Sequence, residues 1–486
     1  MSEQPDPDAR PVAAVVILAA GEGKRMKSTR SKPLHEVAGH SLLSYAVSAA
    51  TNLQPEHIVV VVGHGRDQVE AHLGEIAPHV TTAVQEQQLG TGHAVQVALA
   101  RLGEVSGEVV VTYGDVPMLA TETLSALLAE HRREQAAVTV LTAEVPNPTG
   151  YGRILRDADG AVQGIIEHRD ADEAQRAIRE INSGIYVFEA ETLRSALTEL
   201  APTNDQGELY LTDVLGLARR EGRAVAALVI DDLWQTEGVN DRVQLSAINA
   251  EMNRRILDGW MRAGVTVIDP ATTWVHASVD LAPDVTLLPG TSLEGATSVA
   301  TGATIGPDTT LIDVEVGENA RVVRVHAVLS VIGAGANVGP YASLRPGTTL
   351  GAGGKIGTFV ETKNARIGAG AKAPHQAYLG DAVVGDGANI GAGVIFANYD
   401  GVRKETTTVG TGSFVGSNSV LNAPVQIADG AYVAAGSTIT NDVGPGELAV
   451  ARQRQRNIPG WVARKRAGTK TARAAEAALE RRKAES

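Results

Sequence analysis

The loop LAAGEGKRMKSTRSKPLH, residues 18–35, carries two glycines and five Lys or Arg side chains at the end of the apolar run VAAVVIL. A strand that leads through glycines into a helix suits phosphate, because glycine lets backbone N–H groups approach an anion and the helix start favours negative charge. Arg25 and Lys32 could stabilise charge that develops on a triphosphate. The loop has neither the Walker spacing nor the full GxGxxG pattern, so a tight turn with a solvated basic helix start is an equal alternative.

Two further side chains have chemistry that suits a reaction. Asp115 ends the apolar run VVVTYGD, and His375 lies in the segment APHQAYLGD. Ligands of an open parallel sheet bind at the carboxyl ends of its strands, so Asp115 suits a Mg²⁺ ligand, with a turn cap as the alternative. Histidine titrates near physiological pH, so His375 suits a general base, with an ordinary surface histidine as the alternative.

The first half of the chain predicts a sheet that could position such groups. From residue 12 to about residue 240, runs such as VAAVVIL, IVVVVGH and GEVVVTYGD alternate with helical patterns such as SLLSYAVSAATNL and ETLSALLAEHRR. Apolar strands that alternate with helices predict an α/β domain with a parallel sheet covered on both faces. In residues 241–262, apolar residues recur every three or four positions, which predicts a helical linker.

Beyond this linker, aliphatic residues recur at every sixth position. They are Val275, Leu281, Leu287, Leu293, Val299, Ile305 and Leu311, then Val338, Leu344, Leu350 and Ile356, then Val409, Val415, Leu421, Ile427, Val433 and Ile439. Helices need a period near 3.6 and half-buried strands a period of 2, so neither fits. Hexapeptide periodicity predicts a parallel β-helix with aliphatic side chains inside and small residues, such as Thr291, Thr297 and Ala303, at the turns. The rhythm breaks at APHQAYLGD and FANYDGVRKETT, where we expect loops that carry chemistry.

Composition excludes several kinds of site and partner. The 486-residue chain has no cysteine, which excludes disulfides, thiolate metal sites and cysteine nucleophiles. A net charge of −13, with no basic stripe in the body of the chain, argues against nucleic acid as the main partner. The polar start MSEQPDPDARP does not resemble a signal peptide, and no apolar run approaches membrane-spanning length. We therefore expect a cytoplasmic protein of two domains without a membrane span.

Several motifs together resemble one enzyme family. The basic loop resembles the sugar-nucleotide pyrophosphorylase signature. With QEQQLGTGHA, TYGDVP, GYGRI, INSGIYVF, TEGVN and the hexapeptide half, nearly the whole chain resembles the bifunctional N-acetylglucosamine-1-phosphate uridylyltransferase/glucosamine-1-phosphate N-acetyltransferases. Two residues depart from the family's loop, since Lys24 replaces the usual Thr or Ser and Ser31 the usual Pro.

The resemblance implies three parts of the chain. These are a Rossmann-like α/β pyrophosphorylase domain at residues 1–242, a helical linker at 243–263, and a left-handed parallel β-helix N-acetyltransferase domain with a basic tail at 264–486. It also implies a homotrimer assembled through the β-helix. Acetyl-CoA and UTP would be substrates, and Mg²⁺ the cofactor.

The resemblance places a nucleotide site in the first domain. Arg25 and Lys32 would act in catalysis, while Asp115 and Asn240 would bind Mg²⁺. The residues implied to bind UTP or UDP-N-acetylglucosamine are Leu18, Ala19, Ala20, Gly21, Lys32, Gln85, Gly90, Thr91, Tyr113, Gly114, Asp115, Gly152, Glu167, Asn182 and Asn240. Taken singly, such residues are more often structural than ligand contacts, and their order along the chain is what favours the site.

The resemblance places an acetyl-transfer site in the second domain, with His375 as the base. The residues implied to bind glucosamine phosphate are Arg345, Lys363, Tyr378 and Asn389. Those implied to bind acetyl-CoA are Ala392, Asn398, Tyr399, Ser417, Ala435 and Arg452. The basic tail would meet the phosphates of coenzyme A, and Trp461 would either stack on adenine or anchor the tail on the coils.

These features predict a bifunctional enzyme that makes UDP-N-acetylglucosamine for cell-envelope synthesis. The alternative is a single-activity sugar-nucleotide pyrophosphorylase whose β-helix serves assembly or regulation, and a non-enzymatic scaffold comes third. His375 with Arg345, Lys363 and Asn389 favours the first, because an assembly module has no need of them.

Overall fold

Two units make up the fold, and the internal packing of the chain divides them after Asp313. The computed structural model describes residues 11–202, 204 and 207–485. Residues 11–313 contain the central sheet, a long helix and the first β-helix coils, and residues 314–485 contain the remaining coils and the tail.

In the described part of the first unit, a row of seven strands rich in β-branched residues forms the central sheet. In spatial order they are Val225–Ile230, Val138–Glu144, Glu180–Glu189, Glu108–Tyr113, Ala14–Leu18, His57–Val62 and Thr81–Val84. Alternate residues serve opposite faces, since Val15 and Ile17 lie in one core layer and Val16 in the other. Helices cover both layers, as predicted from the apolar runs.

The sheet is mixed, whereas the sequence predicted a wholly parallel one. Strand Glu180–Glu189 runs antiparallel to both of its neighbours. The chain reaches this strand through an antiparallel hairpin, Arg153–Arg156 with Val162–Ile166, and a short helix, Glu173–Arg176. Parallel neighbours need a crossover connection, and this excursion returns the chain in the opposite direction.

The remaining elements of the first unit flank this sheet. The covering helices are Leu42–Asn52, Arg66–Ile76, Thr91–Leu102, Thr121–Arg133, Ala190–Glu199 and Asp213–Arg220. Short 3₁₀ turns lie at Lys24–Met26, Lys32–Leu34, Leu233–Thr236 and Pro270–Thr272, and strand Glu36–Val37 pairs with His40–Ser41.

The predicted linker is a helix, Arg242–Arg262. Asp241 caps its start, because the carboxylate accepts hydrogen bonds from the N–H groups of Val243 and Gln244, both at 2.9 Å. Ile248 is buried in an apolar cluster with Met26, Leu42 and other residues of the sheet domain. The helix is therefore packed against the α/β core.

The hexapeptide coils begin after this helix, and their strands pair in parallel. Those of the first unit are Thr266–Val267, Trp274–Val275, Asp280–Leu281, Thr286–Leu287, Thr291–Glu294, Ser298–Val299 and Thr304–Ile305, and Thr309–Val316 spans the division. All the six-spaced aliphatic residues from Val275 to Leu311 are buried, as predicted. Thr291, Thr297 and Ala303 are buried as well, so these small residues fill the narrow interior.

The same architecture continues in the second unit, where the six-spaced aliphatic residues are again buried. Its strands are Arg321–Val322, Val325–Ile332, Asn337–Val338, Ala342–Leu344, Thr348–Leu350, Lys355–Thr358, Glu361–Ile367, Lys372–His375, Tyr378–Val384, Asn389–Ile390, Ile395–Ala397, Thr407–Val409, Phe414–Val415, Val420–Asn422, Val425–Ile427, Tyr432–Val433, Thr438–Ile439 and Leu448–Ala449. Helices Trp461–Lys465 and Lys470–Ala484 form the tail. Within the described ranges, no helix is both long and apolar enough to cross a bilayer.

Ile248 tests how the long helix depends on the α/β core. Replacing this buried side chain by Ala should lower the free energy of unfolding by about 2–5 kcal/mol, because it leaves a cavity in the shared cluster. Ile268→Ala, at an exposed position, is the matched control and should change it by less than about 0.5 kcal/mol. Denaturant unfolding of both variants checks this, and equal losses would contradict the packing described.

Candidate active sites

The first candidate site lies where two strands of the central sheet end beside a third segment. The Gly114 N–H donates to the carbonyl of Leu18 at 2.9 Å, which joins the ends of two neighbouring strands. The Val239 N–H donates to the carbonyl of Asp115, also at 2.9 Å. These bonds place Asn240 next to Asp115, as the prediction of a shared metal site requires.

One ammonium group bridges the two predicted metal ligands. Lys32 Nζ forms an ion pair with Asp115 and lies 3.1 Å from Asn240 Oδ1. Arg25 Nη2 donates to the same Asn240 oxygen at 2.9 Å. Because one cation contacts both oxygens, a carboxylate and an amide oxygen converge closely enough to hold Mg²⁺, which takes one or two protein oxygens with substrate phosphates and water.

A cavity of about 340 Å³ opens beside this cluster. Its walls include most of the residues predicted to bind nucleotide, namely Leu18, Ala19, Ala20, Gly21, Lys32, Gln85, Gly90, Thr91, Tyr113, Gly114, Asp115 and Asn240. Pro33, Gln88, Ala94 and Glu208 also line it, and sequence reasoning missed them. Gln88 belongs to the QEQQLGTG motif already singled out, so a signal for it was present.

Hydrogen bonds hold the two glutamines of this cavity. Gln85 is 6% exposed, and its Nε2 donates to the carbonyl of Gly90 at 3.1 Å. Gln88 Nε2 donates to the carbonyl of Ala20 at 2.7 Å. The amide of Gln85 is therefore fixed at the wall, where it suits recognition of a pyrimidine edge.

The basic loop bends where its glycine requires it. Gly23 adopts φ of 64°, and a Cβ there would lie 2.8 Å from Lys32 Cβ. Lys24, which departs from the family pattern, is exposed and pairs with Glu22 at 2.9 Å. Ser31, the other departure, is buried, and its N–H donates to Gln68 Oε1 at 3.1 Å. Both departures leave Arg25 and Lys32 directed at the cluster.

The three residues predicted to hold a sugar form one row across antiparallel strands. The Asn182 N–H donates to the carbonyl of Gly152 at 2.9 Å. A Cβ built on Gly152 would lie 3.2 Å from Glu167 Oε1 and 3.4 Å from Asn182 Cβ. The glycine therefore leaves room between the two polar side chains.

Burial raises the pKa of Glu167. The nearby carboxylates of Asp170 and Asp213 raise this pKa further, and the charge of Arg153 lowers it. A second cavity, of about 360 Å³, is lined by Tyr151 and Ser183, which are the sequence neighbours of Gly152 and Asn182. Arg25, Asp115 and Asn240 line this cavity too, so the predicted sugar row lies close to the metal-ligand cluster.

In the second unit, cations gather on one face of the coils. Arg345 Nη1 lies 3.0 Å from Glu361 Oε1, and the Arg345 N–H donates to the carbonyl of Thr362 on the next coil. Lys363 faces Lys404, and this second ammonium group lowers the pKa of Lys363. Lys404 was not singled out from the sequence, although it lies in the interrupting segment FANYDGVRKETT.

The structure places the predicted base and its neighbours on adjoining coils. His375 is exposed at the end of strand Lys372–His375, and Gln376, with φ of 40°, then turns the chain. Tyr378 stands opposite Glu361, the partner of Arg345. Asn389 stands opposite Lys372 on the next coil. The register of the coils thus brings Arg345, Lys363 and Tyr378 together, while no hydrogen bond or ion pair joins His375 to them among the described residues.

The predicted acetyl-CoA residues occupy several coils. Asn398 is buried, and its side chain donates to Asp381. Tyr399 OH donates to the carbonyl of Gly401 at 2.6 Å. Ser417, Ala435 and Arg452 are exposed. Asn398 is therefore held as a structural neighbour of Asp381, and the exposed residues remain open to a ligand.

The N–H of Ala392 is the predicted donor to an oxyanion. Gly391 and Gly393 donate to the carbonyls of Val415 and Gln376. The Ala392 N–H has no backbone acceptor among the described residues. Both neighbouring N–H groups donate to backbone carbonyls, whereas the Ala392 N–H does not, which suits a donor to a ligand.

Trp461, in the tail, is 43% exposed, and the Arg466 guanidinium lies 5.6 Å from its ring centroid.

Comparisons with known proteins agree with both halves. A nucleotidyl transferase model matches residues 14–243, and a model of six bacterial transferase hexapeptide repeats matches residues 406–441. Relatives named bifunctional protein GlmU are similar over nearly the whole chain. The protein of Paenarthrobacter aurescens is 55% identical over 96% of this chain and 95% of its own length. That of Streptomyces coelicolor is 56% identical over 96% and 97%, and that of Corynebacterium efficiens is 53% identical over 96% and 97%. The predicted fold class is confirmed.

The contact between Lys363 and Lys404 predicts a measurable change in pKa. Because Lys404 lowers the pKa of Lys363, Lys404→Gln should raise the Lys363 pKa toward that of an ordinary lysine. NMR titration of isotopically methylated lysines measures this shift. Lys355→Gln, on another strand, is the control and should leave the Lys363 pKa unchanged. A Lys363 pKa insensitive to Lys404→Gln would mean that the two ammonium groups do not face each other in solution.

Proposed function

This chain belongs to the family of bifunctional GlmU proteins, and on that premise we propose which of its residues carry out the two reactions. The enzyme acetylates glucosamine 1-phosphate with acetyl-CoA and then transfers UMP from UTP to N-acetylglucosamine 1-phosphate, releasing pyrophosphate. We assign uridylyl transfer to residues 1–242, joined by the linker 243–263 to the acetyltransferase at 264–486.

The observation that carries the first assignment is the contact of Lys32 with both Asp115 and Asn240. A triphosphate in the adjoining cavity would offer Lys32 and Arg25 stronger acceptors than these oxygens, since phosphate bonds of Lys and Arg are charge-assisted. Asp115 and Asn240 would then be free to hold Mg²⁺. Mg²⁺ held there would neutralise negative charge on the substrate phosphates.

The uridylyl transfer needs positioning and charge stabilisation more than proton transfer. A phosphate oxygen of N-acetylglucosamine 1-phosphate attacks the α-phosphorus of UTP in line, the bond to the β-phosphate oxygen breaks, and pyrophosphate leaves. The attacking oxygen is already ionised, so no general base is required. Lys32 and Arg25 stabilise the developing charge, Gln85 and Gly90 recognise uracil, and Glu167 accepts hydrogen bonds from sugar hydroxyls.

The acetyl transfer does need a base, because an ammonium group cannot attack a thioester. His375 takes a proton from the sugar amine, the nitrogen attacks the thioester carbonyl, and coenzyme A leaves as its thiolate. The N–H of Ala392, which has no backbone acceptor in the part of the chain that the structure describes, suits stabilisation of the oxyanion.

The facing cations Arg345, Lys363 and Lys404 support a phosphate subsite for glucosamine 1-phosphate, because a dianion would relieve their mutual repulsion. We therefore add Lys404, which was not predicted from the sequence, to the residues assigned to this phosphate. Tyr378 and Asn389 are assigned to the sugar.

We further propose that the enzyme works as a homotrimer in the cytoplasm. Phe414, Tyr432 and Leu448 stand opposite one another on three successive coils, and each is more than a third exposed. A continuous exposed apolar stripe supports association of the coils. The other residues assigned to acetyl-CoA and the basic tail would complete the acetyl-transfer site.

Asp115→Ala tests the nucleotide site. It should lower uridylyl transfer by more than about 10³-fold, because it removes a metal ligand whose charge stabilisation amounts to several kcal/mol, and acetyl transfer should survive. Extra Mg²⁺ should rescue little, since geometry is lost with affinity. Asp67→Ala, at an exposed carboxylate of the same unit, is the control. Assays of pyrophosphate and free thiol follow the two reactions, and a parallel loss of both would refute the assignment.

His375→Ala tests the acetyl-transfer site. Acetyl transfer should fall at least about 10²-fold, mainly in kcat, while uridylyl transfer stays near wild type. The defect should shrink as pH rises from 6.5 to 9.5, because solvent then deprotonates the amine without help. His326→Ala, at an exposed histidine elsewhere on the coils, should behave as wild type. A defect of constant size across this pH range would make His375 a binding residue and not a base.

A further inference from the structure

Arg153 is an arginine that the two reactions leave without a role. It is 1% exposed and lies in the hairpin strand Arg153–Arg156, directly after Gly152 of the predicted sugar row. Among the described residues no carboxylate forms an ion pair with it, and its Nε has no hydrogen-bond partner. Arg156, three positions further on, forms a bidentate pair with Glu180. A buried charge without a paired counter-ion is costly, so its retention calls for a reason.

The contacts of Arg153 tie together the segments around Glu167. Its Nη1 donates to the carbonyl of Tyr151. Its Nη2 lies 3.2 Å from His168 Nδ1, which must act as the acceptor, and donates to the carbonyl of Arg176 at 3.3 Å. In the backbone, Arg153 pairs with Ile166 on one side and Ile181 on the other. Arg153 therefore fixes the residues that flank Glu167 and Asn182.

The charge of Arg153 also acts on Glu167. Glu167 is faced by the carboxylates of Asp170 and Asp213 and by the phenols of Tyr113 and Tyr186. Burial and the two carboxylates raise the pKa of Glu167, and Arg153 is the cation that lowers it. Asp213 itself is partly offset by Arg220. Without Arg153, the Glu167 carboxyl would keep its proton to a higher pH.

We propose that Arg153 is a positioning residue of the sugar site, which holds the segment that carries Glu167 and keeps that carboxylate charged for the sugar hydroxyls. This inference rests on the assignment of Glu167 to the sugar. Arg153 touches neither substrate nor metal in this scheme and acts through its neighbour.

The test is the pH dependence of the KM for N-acetylglucosamine 1-phosphate, measured in uridylyl transfer from pH 6 to 8.5 at saturating UTP. Arg153→Met should raise this KM several-fold at pH 6, and the excess should fall as pH rises, because loss of a nearby cation raises the pKa of a carboxyl. The KM for UTP and the rate of acetyl transfer should stay near wild type. Arg156→Met, on the same strand, is the matched control and should keep the wild-type pH profile.

Further variants separate charge from packing. Arg153→Lys keeps the charge and loses the fork, so it should raise KM measurably, by a smaller factor than Arg153→Met does at pH 6, and keep the wild-type pH profile. In a Glu167→Gln background, which has no titrating group at that position, Arg153→Met should add no pH dependence. An Arg153→Met effect of equal size at every pH would overturn the proposal. Should Arg153→Met fail to fold, an Arg153→Lys enzyme with unchanged KM would overturn it equally.

The Glu167→Gln variant by itself tests the assignment of Glu167 to the sugar. If Glu167→Gln leaves the KM for the sugar phosphate unchanged, the sugar site itself is wrongly assigned. If Glu167→Gln raises that KM while the Arg153 variants show no pH-dependent effect, only the role of Arg153 fails.

Discussion

The bridge from Lys32 to Asp115 and Asn240 is the interaction on which the proposed nucleotide site depends. It joins three segments that are far apart in sequence, at the ends of two neighbouring strands and at the start of the long helix. The helix contributes directly, since Gln244 on its first turn accepts a hydrogen bond from the Asn240 N–H at 2.8 Å. The residue that completes the predicted metal site is therefore held by the predicted linker.

The proposed site on the coils has the opposite arrangement of charges. In the proposed nucleotide site, cations and a carboxylate neutralise one another, and a phosphate substrate would have to draw the cations away. On the coils, Lys363 and Lys404 face each other, and the neighbouring carboxylate Asp381 is already engaged by Asn364 and Asn398. Burial alone would raise the pKa of Asp381, but these amides and the two lysines lower it. Repulsion between cations favours an anionic ligand from the outset.

Each scaffold determines which kind of site it can carry. In the sheet, strand ends from distant parts of the chain meet at one edge, so residues such as Asp115 and Asn240 converge without being neighbours in sequence. In the coils, each turn lies on the preceding one in parallel register, so Glu361 and Tyr378 become neighbours 17 positions apart. A ligand on the coils therefore contacts residues at a regular spacing along the chain. Segments that interrupt this spacing supply further contact residues, such as Lys404.

The sequence by itself determined the two architectures and singled out most of the residues that line the proposed nucleotide cavity. The six-residue period identified the coil interior, because each six-residue segment of a coil points one aliphatic side chain inward. Runs of consecutive valines identified the buried strands of the sheet. Two local patterns indicated the nucleotide cavity, since the glycine loop directly follows strand Ala14–Leu18 and Asp115 directly follows strand Glu108–Tyr113. What only the tertiary structure decided are contacts between distant segments. These include the reversal of strand Glu180–Glu189, the contacts of Gln88 with Ala20 and of Lys404 with Lys363, and the burial of Arg153 beside the segment that carries Glu167. No local pattern encodes them, because each depends on where a separate part of the chain packs.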